Sequence, residues 1–278
     1  MFQGRRVFQV GLGAELRRLR ELNRFSTRSV ASKLGTSPAW VSRNETGARK
    51  PTAGEVKELC VLFGVTGAQK DKLVAKACDG SDTVELPADE FADQLANVMT
   101  LEREASRITD FGNSLVPGLL QTPSYARAVF STRGRTVSEV EQCVSTRVGR
   151  QCLLSRPNGP ELVFLLDELA LRRLIGGARI MRAQLRHIID CAELPMVLVN
   201  VIPVDAGAHA GIQGPFAVYE FGSLGTYVYL ENRKGGIFLT KPEEACEYLD
   251  VCEQLRGQAL DVAGSAELIE SIAKGLDR

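Results

Sequence analysis

Apolar residues recur at helical spacing through the first eighty positions and gather into short, strand-like runs through the last third of the chain. Residues 13–23 set Leu16, Leu19 and Leu22 along one side with arginines between them, which predicts a helix. Ser26 is a good N-cap for a second helix, in which Val30 and Leu34 lie one turn apart on the buried side. Gly35 ends that helix, because glycine accepts the left-handed backbone that helix C-termini favour. Ser37 caps a third helix with Pro38 in its first turn, where the missing N–H costs nothing, and Gly47 stops it. A fourth begins near Thr52, with Val56, Leu59, Cys60 and Phe63 at i, i+3, i+4 and i+7, and a fifth covers roughly 67–78.

Beyond residue 80 the pattern changes. The Gly, Ser, Asp and Pro content of "CDGSDTVELPAD" predicts a linker over 81–88. Residues 89–108 read as helical, and "FGNSLVPGLLQT" as irregular. Thr122 followed by Pro123 opens another helix, and Ser138 with Glu141 makes a capping box for a longer one. "ELVFLLDE" is a buried-strand candidate, followed by helices at 168–175 and 178–192. "MVLVNVIPV", "PFAVYEF", "TYVYLEN" and "GIFLT" predict strands joined by glycine-rich turns, and helices at about 242–260 and 265–275 close the chain. The expectation is an α+β protein. An all-α, five-helix domain over 1–80 precedes a mixed α+β domain over 89–278, with an antiparallel sheet near its C-terminus.

The overall charge of zero conceals a division. Residues 1–80 hold 15 Lys and Arg against 7 Asp and Glu, a net of +8, while the remainder holds 19 against 27, a net of −8. A basic first domain on an acidic remainder implies that the first part meets a polyanion, or that one helical face is simply well solvated. No apolar run reaches the about 18 residues that span a bilayer, and the basic N-terminus lacks a signal-peptide core, so a soluble, cytoplasmic protein is expected. Seven cysteines lack any C-x-x-C pair and only two histidines occur, which argues for free thiols and against a zinc site. No cofactor motif is present.

The stretch "FSTRSVASKLGTSPAWVSRNETG" is helix, glycine turn, helix. It resembles the XRE-type, lambda-repressor-like helix-turn-helix. Phe25-Ser26, Val30-Ala31, Leu34-Gly35, Ser37, Val41-Ser42, Glu45, Gly47 and Pro51 all fall into the family's register. Two positions depart from it: Thr27 stands where glutamine is common, and Asn44 where an apolar residue is usual. The resemblance implies double-stranded DNA as partner, with the helix over about 37–46 in the major groove. Ser37, Ala39, Trp40 and Arg43 are then the positions able to face base edges, and Arg43 can fork onto guanine. Trp40 can press on sugar or a thymine methyl, or fold back onto the second helix. Thr27, Arg28, Arg49 and Lys50 are placed for phosphate, with plain solvation as the rival reading for each basic side chain. The resemblance further implies a buried pair between Arg20 and Glu45 that ties the recognition helix to the first one.

"LVPGLLQTPSYARAVF", "LDELALRRLIGGARIMRAQLRHIID" and "VNVIPVDAGAHAGIQGPFAVYEF" resemble, over roughly 90–275, an uncharacterised α+β domain. It follows an XRE-type helix-turn-helix in many actinobacterial regulators, including the WhiJ-like developmental group. That resemblance implies a transcriptional regulator, often encoded beside a small acidic partner protein. A homodimer is expected, since a lone helix-turn-helix reads only a few base pairs. Asp167, Glu168, His209 and Glu231 are the available acid–base groups, but no nucleophile–base–orienter set, phosphate loop or dinucleotide fingerprint accompanies them. "GLGAEL" is only half a glycine-rich loop. The expectation is therefore no enzyme, with Glu168, His209 and Glu231 as fold contacts or as a ligand or partner surface. The alternative to a regulator is an antitoxin-like interaction module whose DNA binding serves autoregulation.

Overall fold

A computed structural model describes residues 6–45, 49–78, 83–87, 98–99, 101–222, 225–232 and 235–276. The basic segment folds as α1 (Arg6–Leu22), α2 (Thr27–Lys33), α3 (Pro38–Glu45), α4 (Ala53–Leu62) and α5 (Gly67–Cys78). The caps expected at Ser26 and Ser37 are formed, and a further one closes the start of α4. Ser26 accepts from the Ser29 amide and Ser37 from the Trp40 amide, while Thr52 and Glu55 make a reciprocal capping box. Gly35 takes a left-handed φ of 63° at the joint between α2 and α3. Gly47, expected to stop α3, lies outside the described residues. Leu12, Leu16 and Leu19 of α1 pack with Val30, Ala31, Val41, Val56, Leu59 and Phe63 into one core. Leu22, expected on that side, is instead exposed at the end of α1.

The second part is built on a mixed sheet. Its strands are β1 (Thr83–Pro87), β2 (Arg107–Gly112), β3 (Glu161–Asp167), β4 (Val197–Ile202), β5 (Phe216–Glu220), β6 (Thr226–Asn232) and β7 (Gly235–Leu239). Among the described residues the order is β1-β7-β6-β5-β2-β3-β4. The expected antiparallel part is the β5-β6-β7 meander, but β2, β3 and β4 run parallel to one another. Two segments differ from expectation. Strand β1 falls inside the expected linker and pairs antiparallel with β7. Residues 101–104 are helical as expected, whereas 107 and 108 already belong to β2. Residues 98 and 99 are helical as well, 105 and 106 are not, and 89–97 and 100 lie outside the described residues.

Helices cover both faces. They are α6 (Pro123–Ser131), α7 (Val137–Arg150), α8 (Glu168–Arg172), α9 (Ala178–Ala192), α10 (Pro242–Gln258) and α11 (Val262–Gly275). Leu162, Phe164 and Leu166 of β3 face α9 and α11, while Val163 and Leu165 face α10, so the strand is buried on both sides, as a parallel strand must be. Thr122 caps α6 as expected. The capping box of α7 is Thr136 with Glu139, not Ser138 with Glu141. Both pairs satisfy the same four-residue pattern, and the two-residue offset leaves Val137 exposed in the first turn.

Candidate nucleic-acid interface and a second polar site

Helix α3 is held from behind and open in front. Val41 is buried, whereas Ser37, Ala39 and Arg43 are exposed, and the i,i+4 spacing of Ala39 and Arg43 puts them on one face. Behind the helix, Arg20 of α1 forks onto Glu45, with Nε–Oε1 of 2.6 Å and Nη2–Oε2 of 2.9 Å. Both side chains are nearly buried, at 10% and 6% exposure. Arg20 Nη1 also donates to the Phe25 carbonyl at 2.8 Å, so one guanidinium joins α1, the α1–α2 turn and α3. The Glu45 hydrogen bond raises the Arg20 pKa further above its ordinary value. Gly13 completes the mount: a Cβ there would meet the Asn44 carbonyl oxygen and lie 2.6 Å from that of Glu45. The glycine of "GLGAEL" thus permits α1 to touch the end of α3, on a helix and not in a phosphate loop.

The expected DNA contacts separate into two groups. Ser37, Ala39, Arg43 and Arg28 are exposed, and Thr27 is half-buried at the start of α2. Trp40 is half-buried against the domain core, with the Arg49 guanidinium 5.3 Å from its ring centroid, so it folds largely inward. Arg49 is held within the domain. It donates to Glu55 at 2.6 and 2.9 Å and to Asn44 Oδ1 at 3.0 Å, and its hydrogen bonds keep the Glu55 carboxyl below its ordinary pKa. Asn44, the unusual buried polar residue, therefore has a polar partner at the end of α3. The Arg49 side chain had been expected on phosphate; its partners here are a carboxylate, an amide and an indole. Lys50 beside it is half-buried and also engaged.

In the second part, Asp167, Glu168 and His209 come together at the carboxyl ends of β3 and β4. Asp167 caps α8 through Oδ1, which accepts from the Leu169 amide at 2.7 Å, and its Oδ2 lies 3.0 Å from His209 Nε2. Glu168 accepts from the Val204 amide at 2.7 Å and from Arg172 at 2.6 Å. His209 stands edge-on to Phe111, lines a shallow cleft of about 530 Å³ with Ala208, Ala210, Gln254, Gly257 and Gln258, and leaves Nδ1 buried without a partner among the described residues. With both Asp167 oxygens engaged, this cluster fastens the segment after β4 onto β3. Glu231 is not part of it: it lies on β6, three strands from β3, paired with Arg133 at 3.1 Å. Among the described residues no group of three or more His, Cys, Asp or Glu is placed to hold a metal ion, and no helix is long and apolar enough to cross a membrane.

Two family models match the chain. One described as "Helix-turn-helix domain" covers residues 11–73, and one described as "Domain of unknown function (DUF5753)" covers residues 95–271, more than half of the chain. No curated protein and no solved structure matches it.

Proposed function

We propose that this chain, which belongs to the DUF5753 family, is a sequence-specific DNA-binding transcriptional regulator of the cytoplasm. The observation that carries the reading is the mounting of α3: one face is fixed by the Arg20–Glu45 fork and by the contact at Gly13, and the opposite face presents Ser37, Ala39 and Arg43 outward. That is the disposition a major-groove reader needs, since base contacts specify only when the helix that bears them is fixed in register. Arg43 reads a base, Arg28 and Lys50 contact phosphate, and the DUF5753 part joins two chains on an inverted repeat. The arrangement agrees with the WhiJ-like regulators in its order of domains. No catalytic step is proposed, because Asp167 and His209 serve each other and the α8 N-terminus.

The test uses duplexes selected by the protein from a random pool, compared with scrambled controls at several salt concentrations. Arg43→Ala should lower the specific-to-scrambled ratio by about 1–3 kcal/mol at one base pair per half-site. Lys50→Ala should weaken both duplexes alike and reduce the salt slope of log K by about 0.9. An unchanged ratio in Arg43→Ala removes the assignment of the reading residue.

A further inference from the structure

Nine large apolar side chains stand exposed among the described residues, and four of them share one place in the fold. Leu169, Leu174, Val204 and Ile212, at 49–60% exposure, lie on the two segments that leave the carboxyl ends of β3 and β4. Hydrogen bonds gather these segments into one rim. Glu168 Oε2 accepts from the Val204 amide at 2.7 Å, which brings Leu169 and Val204 together. Gly211 packs so closely on the Phe111 ring that a Cβ would overlap it, and its carbonyl lies 3.4 Å from Asn113 Nδ2. Ile212 is thereby held at the carboxyl end of β2. The other five are dispersed: Leu22 and Val61 in the first domain, Val137 at the start of α7, Met196 before β4 and Val262 at the start of α11. Aliphatic side chains exposed singly need no explanation, whereas a group of them on one rim marks a contact surface.

The two flanks of this rim differ in charge and in shape. On the flank toward α6 and α9, Leu171 and Ile175 pack into the core of that sheet face, and Arg172, Arg173 and Leu174 between them are exposed. On the flank toward α10, Ala206 packs against the core of the opposite face, and Asp205 beside it is exposed. The shallow cleft lies on this second flank, between residues 208–210 and the end of α10. Besides His209 its lining is small or uncharged, and a Cβ added at Gly257 would meet nothing within 4 Å. One flank thus projects a cation and an aliphatic side chain. The other offers an anion and an uncharged cleft.

We propose that this rim is the surface by which two copies of the chain associate about a two-fold axis. In such a contact each patch meets itself, so what one flank carries must complement what the other carries. An axis running along the rim, between the flanks, lays Arg173 and Leu174 of each copy against Asp205 and the cleft of the other. Leu169, Val204 and Ile212 then meet their counterparts and leave water together. An axis across the rim would instead set Arg173 against Arg173 and Asp205 against Asp205, the like-charge juxtaposition that specific interfaces avoid. A foreign partner has no need of opposite signs on the two flanks of one patch; a second copy does. The assignment rests on the dimeric reading above and gives that contact its place. It is tested without DNA, so its failure leaves the DNA-binding assignment standing.

Sedimentation of the full-length protein over a range of concentrations tests the surface. Wild type should be a dimer. Leu174→Asp on one flank and Gly257→Tyr in the cleft of the other should each raise the dimer Kd by roughly tenfold or more. Both positions are exposed and Gly257 is open to solvent, so circular dichroism and melting temperature should stay at wild-type values. Met196→Asp, an exposed apolar residue at the opposite end of β4, should leave the Kd unchanged. Arg173→Glu should weaken the dimer, and adding Asp205→Arg should restore it, because exchanging both signs recreates the pairing across the axis. A purely structural role for either residue gives no such rescue. Wild-type association in both Leu174→Asp and Gly257→Tyr, an equal loss in Met196→Asp, or no rescue by the double reversal overturns the surface and leaves dimerisation standing. A monomeric wild-type protein overturns the surface and the dimer together.

Discussion

Replacing Glu45 with alanine should cost the helix-turn-helix domain about 3–5 kcal/mol, because it strands a nearly buried guanidinium without its counter-charge. The loss is a large share of the about 5–15 kcal/mol that holds a domain of this kind folded. The double substitution Arg20→Met with Glu45→Met removes both charges and fills the space with apolar side chains, so it should recover most of the loss. Recovery should be incomplete by about 1 kcal/mol, since Arg20 also satisfies the Phe25 carbonyl and methionine does not. The chain offers a direct reporter. Trp40 is its one tryptophan and is half-buried against this core, so intrinsic fluorescence during urea unfolding follows this domain inside the full-length protein. The expected order of midpoints is wild type, then the double variant, then Glu45→Ala well below. A wild-type midpoint for Glu45→Ala refutes the buried fork, and a double variant as unstable as the single one refutes the account of its cost.

Gly13→Ala should destabilise the same domain by about 1–3 kcal/mol although alanine is the better helix former, because its Cβ meets backbone that cannot yield without separating α1 from α3; Trp40 fluorescence reads this too. Asp110→Asn should change the pH dependence of stability measured by urea titration. The folded carboxyl titrates near 7, above the about 3.9 of an unfolded aspartate, so between about pH 4 and 7 the folded state holds more protons and wild-type stability falls as pH rises. The fall should be about 1–3 kcal/mol after allowance for solvent access, with Arg147, Arg150, Glu102 and Glu231 as the charged neighbours, and should disappear in the variant. His209→Ala should speed hydrogen exchange of amides over 204–213 while leaving DNA affinity unchanged, because the ring anchors that segment to Asp167.

Much of the first domain was legible because its signals are local. Caps at Ser26 and Ser37, a left-handed glycine at 35 and apolar residues one turn apart act within a few positions of themselves, and each does in the structure what its chemistry predicts. The Arg20–Glu45 pairing joins positions 25 apart, and only the family resemblance implied it. The ties that hold Arg49 were not legible: nothing in its sequence neighbourhood distinguishes an arginine destined for phosphate from one that reaches Glu55 and lies over Trp40. The histidine site was legible as residue types but not as a constellation, since Asp167 and His209 meet only when β3 and β4 pair in parallel, and parallel pairing leaves no turn signal in the sequence.

Two strands, β1 and β2, were concealed in the sequence, and for β2 the reason is a charge. Its residues, "RITDFG", sit between β3 and β5 near the centre of the sheet, where a run of apolar side chains is expected. Asp110 interrupts that run, and Arg107 and Ile108 read as the end of a helix, with no element predicted at 109 and 110. Local pattern and global fold disagree at this central strand, where a carboxylate takes a place that the sheet around it fills with apolar side chains. Asp110→Asn measures the cost of that charge: a higher urea midpoint than wild type at neutral pH means that the carboxylate is held at the expense of the fold, and a lower one means that the packing around it depends on the carboxylate.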